Sequence, residues 1–203
     1  MDIVGIFPPI ILIGFLFLTL LFPIIFVIIF IFIINKQQKH RKNIKQIAKE
    51  LNLSISQPIP IIGEPELSGI YRNRKLRIYY EKEAGLVRGL IINIEVKLIK
   101  NIEYNIIIKD KGYFQNPSIK TEDIKFDDSW IIETKYPKFR DLVDSTLQEK
   151  ILDINIPKNR GAEFNVLEDI VNFEILYGNL DDKKLKEIIN LLCDIADKIE
   201  KLN

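Results

Sequence analysis

Read for its pattern of apolar and polar positions, the chain has an unbroken apolar head and an alternating body. From Ile3 to Ile34 no residue is charged, and the run of Ile, Leu, Phe and Val is interrupted only by Gly5, Pro8, Pro9, Gly14, Thr19 and Pro23. A helix from Pro8 or Pro9 to Asn35 would be about 40 Å long at roughly 1.5 Å per residue, more than a hydrocarbon thickness of roughly 30 Å, so it would span a membrane once with tilt. Two spans turning at Pro23 would each fall short of the roughly 20 residues a span needs. Pro23 therefore reads as a kink, which transmembrane helices tolerate. The chain begins Met1-Asp2 and follows the run with Asn35-Lys36-Gln37-Gln38-Lys39. That is unlike a cleaved signal peptide, which has a basic start and a small-residue cleavage site.

Beyond the span, Ile44, Ile47, Ala48 and Leu51 recur at helical spacing, predicting an amphipathic helix to about Asn52. Pro58, Pro60, Gly63 and Pro65 then predict an extended connection. These readings divide the chain into an anchor (1–35), a juxtamembrane helix and linker (36–65) and a domain (66–203).

Within the domain the apolar period falls to two. Leu67 to Arg72 and Lys75 to Glu81 predict a hairpin turning at Asn73-Arg74, with a basic outer face. Ile92, Ile94, Val96 and Leu98 alternate with Asn93, Glu95 and Lys97 in a strand long enough to be central. Tyr104 to Lys109 and Trp130 to Lys135 predict two more strands, separated by a long polar loop. Glu163 to Leu167 and Ile170 to Tyr177 predict a second hairpin. Helical stripes run from Pro137 to about Leu152 and from Asp181 to Leu202. With strands in antiparallel runs and no βαβ alternation, the fold class is α+β: an N-terminal transmembrane helix, then a mainly antiparallel sheet of five to seven strands with helices on one face.

Charge adds orientation. Lys36, Lys39, Arg41, Lys42 and Lys45 all follow the apolar run, although the whole chain of 203 residues has a net charge of only +1. The positive-inside rule then puts the N-terminus outside and the domain in the cytoplasm, as a single-pass protein of the cell membrane. Further positive charge gathers on the first hairpin. Lys36, Lys39, Arg41, Lys42, Arg72, Arg74 and Arg77 are thus the candidate contacts for anionic lipid or a protein partner. A second copy of the chain is an alternative partner, and nucleic acid is the less favoured one.

Candidate chemistry is sparse. The one histidine, His40, lies in the basic flank, and the one cysteine, Cys193, lies at the margin of an apolar helix face with no imidazole to activate it. The glycines form no phosphate-binding loop. Glu122, Asp123, Asp127 and Asp128 cluster near a loop, where carboxylates can serve as acid and base or hold a divalent cation, but without the spacing of a calcium loop. No catalytic residue, cofactor or metal ligand is assigned.

The run Leu67-Ser68-Gly69-Ile70-Tyr71-Arg72-Asn73-Arg74-Lys75-Leu76-Arg77-Ile78, followed by Phe126-Asp127-Asp128-Ser129-Trp130-Ile131-Ile132 and a helix, hairpin and closing helix, resembles a loose group of prokaryotic, archaeal-type membrane-anchored domains of unknown function. The resemblance covers about Leu51 to Ile199 and implies no activity. The residues favour a non-enzymatic interaction module at the cytoplasmic membrane face. A carboxylate-based or metal-dependent hydrolase and an anionic-lipid-binding domain are the alternatives.

Overall fold

The computed structural model describes residues 21–32, 42, 44–56, 65–82, 90–111, 119–156, 161–176 and 181–202. The chain divides into two compact units, Met1–Gln46 and Ile47–Asn203.

In the first unit, residues 21–32 are helical, with Pro23 inside the helix, and every side chain in the stretch is apolar and exposed. Phe22 is 72% exposed and Phe32 69%. Twelve residues span only about 18 Å, and among the described residues no helix is long and apolar enough to cross a membrane. The remainder of the apolar run lies outside the described residues, as do Lys36, Lys39 and Arg41.

The second unit is α+β. Its strands are β1 (Ser54–Ser56), β2 (Glu66–Tyr71), β3 (Arg74–Lys82), β4 (Leu90–Lys97), β5 (Ile106–Asp110), β6 (Trp130–Thr134), β7 (Glu163–Leu167) and β8 (Ile170–Leu176). They form one eight-stranded sheet in the order β1-β2-β3-β4-β8-β7-β5-β6, every neighbouring pair antiparallel. The helices are α1 (Ile124–Asp127), α2 (Phe139–Leu142), α3 (Ser145–Asp153) and α4 (Asp182–Leu202).

Register explains the core. Leu67, Ile78, Ile94, Phe173, Phe164, Ile108 and Ile132 stand opposite one another in a row from β2 to β6. None of them is more than 3% exposed. A parallel row runs through Gly69, Leu76, Val96, Val171, Val166 and Ile106. Because side chains alternate along a strand, both rows share one face of the sheet. Against it lies the stripe of α4, in which Ile188, Ile189, Leu192 and Ala196 are fully buried. Burial of this kind yields roughly 25 cal/mol per Å² of apolar surface and holds the two layers together.

The other helices lie on the same side. Asp144 caps α3 by accepting from the Leu147 amide at 3.0 Å and pairs with Lys198 of α4, while Lys150 of α3 pairs with Asp194 of α4 at 2.8 Å. Glu50, at the end of the helical stretch 44–50, pairs with Lys186 of α4. Leu53 packs so closely over Gly69 that a Cβ there would meet its Cδ2 at 2.8 Å.

Several expected elements change. Seven strands fall within 66–203, at the upper end of the expected five to seven, and the supposed connection before Glu66 contributes an eighth, β1, whose Ile55 stands opposite Leu67. The first hairpin turns at Arg72-Asn73, whose φ values of 49° and 62° suit a two-residue turn, and Arg74 is the first residue of β3. The helix expected from Pro137 is broken into α2 and α3, because Val143 leaves helical geometry and Asp144 starts a new cap. The long polar loop contains α1, capped by Asp123, and an isolated bridge between Ile119 and Ile132. Tyr177, Gly178 and Asn179 lie outside the described residues.

Candidate functional site

The hairpin arginines are held by carboxylates of the domain itself. Arg74 has the same parity as Leu76 and Ile78 and therefore points under α4, where it is 5% exposed. It donates to Asp197 at 2.6 Å and to both oxygens of Glu200 at 2.7 and 2.8 Å. Arg72 reaches Asp194 at 2.7 Å and Asp197 at 2.8 Å. Hydrogen bonding to Glu200 holds Arg74 more firmly protonated than usual, and the same bond, against the opposing effect of burial, holds Glu200 below the usual carboxylate range. Arg77 is on the opposite face, donating to Glu66 at 2.8 and 3.0 Å and lying 4.3 Å from the centre of the Tyr79 ring. Lys42 is exposed in the first unit. The hairpin residues proposed from sequence are brought together in pairs with acids, so a partner would have to compete for them.

The acidic cluster has internal uses too. Asp123 caps α1 through the amides of Lys125 and Phe126, and Asp127 accepts from the Thr121 amide at 3.0 Å and its hydroxyl at 2.9 Å. Glu122 and Asp123 line an open cleft of about 740 Å³ between α1 and the start of α3, together with Lys120, Arg140 and Gln148. Among the described residues no group of three or more His, Cys, Asp or Glu side chains is placed to hold a metal ion. Cys193 is fully buried in α4, and burial pushes its thiol up to about 11, well away from a nucleophilic thiolate at neutral pH.

The site that sequence reading missed lies on the other face of the sheet. At its centre β4 presents Asn93 and Glu95, β8 presents Asn172 and Glu174, and β7 presents Glu163 and Asn165. Glu95 stands opposite Asn172 and Asn172 opposite Asn165, while Asn93 stands opposite Glu174 and Glu174 opposite Glu163. With strands about 4.8 Å apart and same-face neighbours about 7 Å apart, the six side chains form a block of roughly 10 by 7 Å.

This block is poor in internal partners. Asn93 is 3% exposed, yet among the described residues its Nδ2 has no hydrogen-bond partner, and neither do the buried Oδ1 atoms of Asn165 and Asn172. Burial, and then the charge of Glu174, raises Glu163 above the usual glutamate range; burial, and then Glu81, does the same to Glu174. Glu95 has partners within the domain: it accepts from the Tyr79 hydroxyl at 2.7 Å and lies 3.7 Å from Arg77. On the far side Lys109 pairs with Glu133 at 2.6 Å. The signal in the sequence was the repeated Asn-x-Glu of Asn93-Ile94-Glu95 and Asn172-Phe173-Glu174, reversed in Glu163-Phe164-Asn165.

Fold and face together define an α+β domain with helices on one side of an antiparallel sheet and a polar, under-bonded surface on the other. The chain is similar to the crystal structure of the mycobacterial trehalose monomycolate transport factor A, TtfA, with a TM-score of 0.51 and 9% sequence identity, covering 78% of this chain and 93% of that one. At that identity the likeness is one of fold. No protein-family model and no curated protein matches the chain.

Proposed function

We propose that the chain is a membrane-tethered, non-enzymatic interaction module whose binding surface is the open face of the sheet. The observation that carries this reading is the Asn/Glu block on β4, β8 and β7, where buried amide atoms lack partners among the described residues. Each such atom costs about 1–3 kcal/mol when left unsatisfied, a cost that a bound partner would relieve. The tether is the apolar run from Ile3 to Ile34, of which residues 21–32 form an exposed apolar helix. The basic residues after it favour an outside N-terminus and a cytoplasmic domain at the cell membrane. The fold neighbour is a transport factor, and a tethered module without catalytic chemistry is compatible with service to a membrane process. Anionic lipid is the weaker reading for the hairpin, because Arg72, Arg74 and Arg77 already bond to Asp194, Glu200 and Glu66.

Photo-crosslinking in native membranes tests the proposal. A photoreactive residue at Glu95 or Asn172 should give a discrete adduct, while one at Lys125 on the helical side should not. Adducts confined to Lys125, or absent from the sheet positions, would refute it. Extraction of the intact chain from membranes by carbonate would refute the tether.

A further inference from the structure

We infer that the occupant of the open face is a basic protein segment whose guanidinium groups dock on the Asn/Glu block. This rests on the preceding reading of the open face and adds the chemistry of what binds there. The central six residues carry three carboxylates, Glu95, Glu163 and Glu174, and the unpaired amide oxygens of Asn165 and Asn172 are acceptors as well. Glu95 is already engaged by Tyr79, whereas Glu163 faces Lys109 only in competition with Glu133, which that lysine bonds at 2.6 Å, and burial with the neighbouring charges of Glu174 and Glu81 outweighs that cation at Glu163 and raises Glu174 as well. An acceptor-rich, partly desolvated surface calls for a group that brings many donors and positive charge. Guanidinium has five donors in a planar fork, accepts none, and is more weakly hydrated than an ammonium, so it loses less on entering such a surface.

Asn93 supplies the independent sign. It is 97% buried by the complement of its 3% exposure, stands in register between Tyr79 and Glu174, and among the described residues its donor Nδ2 has no partner. A peptide satisfies that donor with a backbone carbonyl while its arginine satisfies the surrounding acceptors, which a bare cation or a free amine does not. Among the described residues the cluster also lacks the arrangement needed for a metal ion.

The test uses the full chain in non-ionic detergent micelles and a fluorescent arginine-rich peptide capped at both ends, with a counterpart in which every arginine is replaced by neutral citrulline. Anisotropy should show the arginine peptide binding at least about tenfold more tightly than the citrulline one, and the Glu163→Gln/Glu174→Gln variant should weaken arginine-peptide binding by about tenfold or more. The variant removes charge without changing shape, and thermal unfolding followed through Trp130 verifies that it remains folded. Equal binding of the two peptides, or arginine binding untouched in the folded double variant, overturns the inference. So does trehalose binding lost in the variant while the arginine peptide is ignored, which would mark a hydroxylated ligand. In any of these cases, crosslinks from Glu95 and Asn172 in membranes would leave the open face standing as the binding surface.

Discussion

The two faces of one sheet are built from the same strands and treated in opposite ways. Beneath α4, even the polar exception is well bonded: Arg74 is buried but makes four hydrogen bonds, shared between Asp197 and Glu200. On the open face the polar groups are also largely withdrawn from water, yet Asn93, Asn165 and Asn172 leave atoms unpaired and Glu163 stands directly opposite Glu174. A domain selected only for stability would place apolar or paired residues at such positions, since like charges directly opposite and unsatisfied amides each destabilise. The covered face accounts for the fold, and the open face requires another explanation, which binding supplies.

The comparison breaks first at the covered face. Phe173 lies in the longest apolar row, fully buried and 4.6 Å from the ring of Phe164, so Phe173→Ala should cost about 4 kcal/mol, measured by denaturant unfolding followed through the single tryptophan. A loss under about 1 kcal/mol would mean that this row is not the core. Next come the two arginines of β3, which differ only in the face they occupy. Arg74→Met should cost about 3 kcal/mol, because Glu200 and Asp197 lose a buried cation, whereas Arg77→Met, at a side chain 49% exposed, should cost less than about 1 kcal/mol. Equal losses would contradict the assignment of faces. Below the Arg74 effect falls Gly69→Ala, which forces Leu53 away from β2 and should cost on the order of 1 kcal/mol on the same assay.

Much of the covered face was legible because it follows local periodicity. Ile92, Ile94 and Val96, the stripe of α4 and the hairpin of β7 and β8 all repeat a two- or 3.6-residue pattern within a few residues. Arg74 was misplaced by one short step: with the turn set at Asn73-Arg74 it became a loop residue, although its alternation with Leu76 and Ile78 already put it on the apolar side. β1 was hidden because three residues among prolines carry little pattern, and its strand state comes from pairing with β2. The Asn/Glu block was invisible for a different reason. Each strand looked like an ordinary half-buried strand, and only the order β4-β8-β7 brings Asn93, Glu174 and Glu163 into line. Register across distant segments is not a local property, so a surface assembled by it escapes a reading that moves along one chain.

The finest test of the contrast is its dependence on pH, because the carboxylates paired with arginines under α4 and the two glutamates of the Asn/Glu block are shifted in opposite directions. Glu200 and Asp194 are held below their usual range, the first by its bond to Arg74 and the second by Lys150 and Arg72 overcoming the effect of burial. Such groups give stability that is present above their unfolded-state pKa and is lost as pH falls through the folded one. Glu163 and Glu174 are raised, chiefly by burial, so the native state holds their protons more tightly than the unfolded chain does. Their contribution is complete below the unfolded-state pKa and is lost as pH rises through the raised folded values. Glu163→Gln/Glu174→Gln should therefore raise stability at neutral pH by on the order of 0.5 kcal/mol, about 1–2 °C in Tm, and should flatten the decline on the alkaline side of that window. Asp194→Asn should instead diminish the acid-side loss and lower neutral-pH stability. Thermal unfolding from weakly acid to neutral pH separates these outcomes, and a double variant less stable than the parent at neutral pH would mean that the two glutamates bond within the domain after all, removing the physical ground for an external cation at the open face.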